Sequence, residues 1–172
     1  FVLEEAWLRV RDPEVPTDWM VLSYARKGIN GTATDDPTLL ELIGEGDGGL
    51  TACLSCLESA ASASSRVFWG GLKVNAIDSR GTTTCERPKF VFFTQIGPEV
   101  STRSRTRGLL HTGAVAEVLQ GAHCVFEVED AKGELQPSTV AAKLLQSTGA
   151  HKPNQYDFGG GLVEQCEYYA QS

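Results

Sequence analysis

The sequence has no apolar run near the ~20 residues that a membrane-spanning helix needs; runs such as Phe90 to Phe93 end after a few positions. It opens with no basic-then-apolar leader of the secretory kind, so a cytoplasmic protein is the expectation. Histidine is scarce: His111, His123 and His151 sit in different segments with no near spacing. No nucleophile is therefore singled out with a base and an orienting group, and no enzyme is expected. His123, at the start of an apolar strand, reads as structural. The glycine run Gly44 to Gly49 (GEGDGG) lacks the Gly-Lys-Ser/Thr ending of a phosphate cradle, and its two carboxylates would repel a phosphate. It reads as a turn, with Asp47 near the start of the next helix. Cys53 and Cys56 form a Cys-x-x-Cys pair with no second ligand pair, inside a helix beside Leu57, and core packing explains them better than zinc or redox chemistry. No metal and no cofactor is expected. Five cysteines, an odd number, fit reduced thiols better than a disulfide framework.

What is present describes an ordinary soluble domain. At 172 residues, with 41% hydrophobic and 22% charged residues, the chain is long enough to bury a sizeable core. Its net charge of −7 disfavours nucleic acid as a partner.

The elements follow from periodicity and punctuation. Leu3 to Arg11 is the end of a helix stopped by Asp12-Pro13. Trp19 to Tyr24 is a strand, Arg26-Lys27-Gly28 with Asn30-Gly31 a hairpin-like connection, and Thr38 to Ile43 the next strand. Leu50 to Ala63 is helical, through Leu50, Cys53, Leu54 and Leu57. Arg66 to Ile77 is a long strand whose Gly70-Gly71 pair suggests a bulge. Asp78 to Arg87 is a polar turn region. Phe90 to Ile96 is apolar on both alternating sets, as in a central strand covered on both faces. Ser101 to Arg107 leads into a helix with Leu110, Ala114 and Val118 on one stripe and Val115 and Leu119 beside it, stopped by Gly121. His123 to Val128 alternates as a strand, and Pro137 to Ser147 is a final amphipathic helix ended by Gly149. Interleaved hairpins and helices imply an α+β fold: one mixed sheet with helices on both faces. Residues 159–172, after a triple glycine, are expected to be a flexible tail beyond a single domain of residues 1–158, although Leu162, Val163 and Tyr168-Tyr169 offer groups that dock.

Charge is unevenly placed. Between positions 80 and 107 stand six basic residues (Arg80, Arg87, Lys89, Arg103, Arg105, Arg107) against Glu86 and Glu99, a net +4 that leaves −11 for the rest of a −7 chain. A cationic segment on an anionic body orients a protein toward an acidic partner. Arg103, Arg105 and Arg107 alternate with small polar residues at a helix start. There they oppose the macrodipole at about a few tenths of a kcal/mol each. An arginine can also fork onto carboxylates or phosphates. These residues name a docking surface without naming the partner.

Several stretches resemble the ADF/cofilin-homology family, closest to its coactosin and drebrin-like branches. They are Asp18-Trp19 before a strand, Pro88 to Glu99 (PKFVFFTQIGPE), Leu119 to Val125 (LQGAHCV) and Ser147 to Phe158 (STGAHKPNQYDF). The resemblance covers about residues 5–158 and departs at Gln95, where the family pattern has tryptophan. It implies an ADF-H/gelsolin-like architecture with a central sheet of five to six strands. It also implies a non-catalytic actin-binding protein of the cytoplasmic actin cytoskeleton, acting as a monomer. Lys89 corresponds to a basic position that contacts the filament; Arg103 and Arg105 match paired basic residues at the start of the long actin-binding helix, with Arg107 in support. Arg80 and Arg87 lie where the filament-specific site is found, and Lys143 is the only basic residue of the last helix. The implied site joins these two basic parts side by side. The N-terminal extension that true ADF/cofilins place against monomeric actin is short or absent. The resemblance thus favours the coactosin-like mode, which binds the filament side without depolymerising it. The alternatives are a depolymerising or severing relative that also binds monomers, and a phosphoinositide-binding adaptor.

Overall fold

The computed structural model describes residues 2–29 and 32–166. Its elements are α1 (Val2–Arg11), β1 (Trp19–Ile29), β2 (Thr32–Gly46), α2 (Gly49–Ser59), β3 (Val67–Arg80), β4 (Thr83–Ile96), α3 (Thr102–Val118), β5 (Cys124–Val128), α4 (Ala131–Glu134), α5 (Pro137–Gln146), β6 (Gln155–Asp157) and β7 (Val163–Gln165). A 3-10 turn at Ala63–Ser65 joins α2 to β3.

The strands form one sheet in the order β2-β1-β3-β4-β5, with β6 on β3 and β7 on β6. All pairs are antiparallel except β4 with β5, so the sheet is mixed. Side-chain alternation divides the core into two layers. Trp19 and Val21 of β1 and Val91 and Phe93 of β4 face α2 and α5, through Leu50, Cys53, Leu57, Val140 and Leu144. Met20 and Leu22 of β1 and Phe90 and Phe92 of β4 face α1 and α3, through Trp7, Val10 and Val115. The central segment of β4 is buried on both sides, as its unbroken apolarity implies.

The glycines mark close approaches. β3 and β4 keep one register from Val67↔Ile96 to Arg80↔Thr83, so Gly70-Gly71 is no bulge. A Cβ on Gly70 would lie 2.2 Å from the Phe93 ring and one on Gly71 2.4 Å from the Trp7 ring, so the pair admits one aromatic side chain from each layer. Gly44 and Gly46 make room for the Trp19 ring, whose Nε1 donates to the Asp47 carbonyl at 2.9 Å. The carboxylate at the start of α2 is Asp18, which accepts from the Gly49 N–H at 2.9 Å, and not the expected Asp47. Gly49, at φ +64°, lies so close to Phe158 that a Cβ would stand 1.6 Å from its carbonyl oxygen.

Other departures are of extent. β1 continues through Arg26, Lys27 and Gly28, where a connection is expected; Asn30-Gly31 lies outside the described residues. β2 is longer than expected at both ends. The polar region 78–87 is mostly strand, a two-stranded arm that turns at Gly81 (φ +60°). The segment after 158 enters the sheet through β7, whose neighbour Cys166 donates its N–H to the Asn154 carbonyl at 2.9 Å. Leu162 packs on the core, as one of the expected docking groups, whereas Val163 is 41% exposed; Tyr168-Tyr169 lies outside the described residues.

Candidate functional site

The six basic residues of the 80–107 window fall on two surfaces. The first is the β3–β4 arm. Positions 81 to 88 are all exposed, and the base of the arm is braced by Asn154, whose Nδ2 donates to the Ser79 carbonyl at 2.7 Å and whose N–H donates to that of Ile77 at 2.9 Å. Strand alternation puts Arg87 and Lys89 on one face, in line with Val91 and Phe93. They line a shallow cavity of about 200 Å³ with Cys85, Asp78, Thr148 and His151. Arg80 stands on the neighbouring strand, its Nε 2.9 Å from Asp78 Oδ1.

The second surface is the start of α3. The hydroxyl oxygen of Ser101 accepts the Ser104 N–H at 3.2 Å and caps the helix. Because this segment is helical, Arg103 and Arg105 project roughly 200° apart while Arg103 and Arg107 share a side. Arg103 is exposed. Arg105 turns inward, donating to the Gly97 carbonyl at 3.4 Å with its Nη2 3.8 Å from Glu129. The charge of Arg107 is felt at Tyr24, whose hydroxyl is 2.7 Å from His111 Nδ1. Burial pushes the Tyr24 phenol up to about 12, and the charge of Arg107 acts in the opposite direction.

The structure does not bring these two surfaces side by side. α3 starts just after Ile96, at the far end of β4 from the arm, and packs on the opposite face of the sheet. The seven residue steps from Lys89 to Ile96 span about 23 Å of strand. Lys143 is apart from both: its Nζ donates to the Val125 carbonyl and lies 4.4 Å from the centre of the Phe126 ring. Of the seven candidates, Arg80, Arg105 and Lys143 are held within the fold. Arg87, Lys89, Arg103 and Arg107 form no ion pair among the described residues.

Sequence reasoning missed the outer face of α3. Leu110, expected on one stripe with Ala114 and Val118, is 76% exposed, and Leu109 is 45% exposed. The buried side of the helix is Gly108 and Val115, followed by Leu119. A Cβ on Gly108 would lie 3.1 Å from Val67, and Thr112 accepts the Trp69 indole N–H at 3.0 Å. The helix meets the sheet through small and polar residues, and no apolar periodicity marks such a contact.

Comparison with known proteins gives a consistent picture. The family model described as cofilin/tropomyosin-type actin-binding protein matches residues 3–145. The drebrin-like protein of Mus musculus is 26% identical over 149 residues, which cover 87% of this chain and 29% of that protein. The chain thus spans less than a third of the length of this relative. Among solved structures, coactosin from Entamoeba histolytica superposes with a TM-score of 0.62 at 17% identity, covering 83% of this chain and 90% of that one. Mouse coactosin, described as an actin filament binding protein, superposes with a TM-score of 0.54 at 20% identity, covering 87% and 89%. At these identities the likeness shows the fold.

Proposed function

This chain belongs to the cofilin/tropomyosin-type actin-binding family, and we propose that within it the protein binds the side of actin filaments in the coactosin manner, without catalysis. The observation that carries the reading is the set of cations in the basic window without an acidic partner among the described residues: Arg87 and Lys89 on the arm, Arg103 and Arg107 on α3. Arginine and lysine held in internal pairs have their donors and charge partly satisfied; these four keep theirs for a partner. Their division into two surfaces about 23 Å apart along β4 suits contact with two neighbouring subunits of a polymer better than one contact with a single subunit. The fold shared with coactosins, one of them described as a filament binder, supports the same reading. Arg80, Arg105 and Lys143 take a supporting part through the residues that hold them. The place of action is the actin cytoskeleton of the cytoplasm.

Co-sedimentation with actin filaments tests this. Reversing Arg87 and Lys89 to Glu, or Arg103 and Arg107 to Glu, weakens filament binding by about tenfold or more, or ~1.4 kcal/mol. Reversing both pairs abolishes it. Unchanged pelleting of the four-fold variant would refute the site. A rise in steady-state monomer with added protein would instead assign the depolymerising mode.

A further inference from the structure

On the face of the sheet that carries α3, a groove of about 210 Å³ runs between that helix and the edge strand β5. Its floor includes Thr94, which is 1% exposed and whose hydroxyl has no hydrogen-bond partner among the described residues. A buried hydroxyl left unpaired is unfavourable, so the position calls for a polar occupant. Glu127 stands beside it: Thr94 and Glu127 are register partners in the parallel β4–β5 pair. Phe126 and Val128 point into the opposite core layer, so Glu127 shares the face of Thr94. Glu129 and Glu134 continue the acidic wall, with Glu134 already accepting from the N–H groups of Glu129 and Asp130. The α3 wall supplies Arg105, 3.8 Å from Glu129, and the half-exposed Leu109.

Three carboxylates against one guanidinium make the groove a seat for a cation. Among the described residues no three His, Cys, Asp or Glu side chains converge as metal ligands, so the geometry does not favour a bare metal ion. The volume is several times the ~30 Å³ share of one water.

We infer that this groove accepts a lysine side chain from an extended segment of a partner protein. The ammonium carries three donors and no acceptor, enough to reach the Thr94 oxygen on the floor and Glu127 and Glu129 on the wall. Its aliphatic stem lies along Leu109. A tetrahedral ammonium meets acceptors on different sides of a pocket, whereas a planar guanidinium fork matches two parallel ones. The contact is opposite in sign to the basic surfaces proposed above and does not depend on them.

The test is an NMR titration of the isotope-labelled full chain with the peptide acetyl-Gly-Lys-Gly-amide, and with the same peptide acetylated on Nε. Saturable amide shifts at Thr94, Glu127 and Leu109 are expected with the free lysine, and at least about fivefold weaker binding after acetylation. Thr94→Val and Glu127→Gln each weaken the lysine peptide by about three- to tenfold. Glu117→Gln, on the exposed outer side of α3, leaves it unchanged. Equal binding of the two peptides overturns the proposal. So does wild-type affinity in Thr94→Val, which would mean that an ordered water alone satisfies the hydroxyl. If Thr94→Val does not fold, Glu127→Gln, at an exposed position, decides the matter.

Discussion

The N–H of Phe90 donates to Nδ1 of His123 at 3.0 Å, and the N–H of His123 donates back to the Phe90 carbonyl at 2.7 Å. The first of these bonds needs a lone pair on Nδ1, hence a neutral imidazole with that nitrogen unprotonated. The ring also stacks on Phe90, with centroids 5.9 Å apart. Partial burial, followed by the charges of Lys89 and Arg11, lowers the His123 pKa from its ordinary value. The unfolded chain therefore binds a proton at His123 more readily than the folded one. The resulting stabilisation is complete above the unfolded value near 6.5 and is lost as pH falls through the folded value. Urea unfolding at pH 7.5 and pH 5 should show this loss, at less than about 1 kcal/mol because the residue is solvent-exposed. His123→Asn should flatten that part of the profile.

Ala at Gly71 would press a methyl group against the Trp7 ring, and Ala at Gly70 one against Phe93. Both rings are buried in closed core layers, so neither can swing into solvent. Each substitution should destabilise by about 1–3 kcal/mol, read from the denaturation midpoint. Gly49→Ala should be worse, since it adds a left-handed backbone conformation to a backbone clash.

Ser101→Ala removes the side-chain acceptor at the start of α3. A loss of about 1 kcal/mol is expected by denaturation. Because the same turn presents Arg103, filament affinity should fall as well, although no cation is removed.

Lys143→Ala separates two roles that one positive charge can have. Its Nζ is committed to the Val125 carbonyl and the Phe126 ring. Stability should drop by about 0.5–1 kcal/mol, the range of an exposed cation–π contact. Co-sedimentation should change far less than for Lys89→Glu.

Much of this fold was legible because its largest elements are built from local patterns. Phe90 to Ile96 is apolar on both sets and is covered on both faces; Pro137 and Gly149 bracket α5 as punctuation. Cys53 and Cys56 sit on the core side of α2, and burial raises the pKa of both thiols. β6 and β7 were not legible: each has three residues, and Gln155, Asp157, Glu164 and Gln165 carry no strand pattern apart from their pairing with distant segments. The charge count located the basic window but not its use. Nothing in the spacing tells Arg105, turned to Glu129, from Arg103, left in solvent.

β4 carries one basic surface at its exposed start and meets the other at its buried end, in unbroken register with β3. A single stiff strand fixes the interval between them, so the two surfaces cannot be drawn together or apart to suit an arbitrary target. For the proposed site, β4 works as a gauge. It rewards a partner whose acidic groups recur at the matching interval, and it penalises a partner, however acidic, whose groups do not.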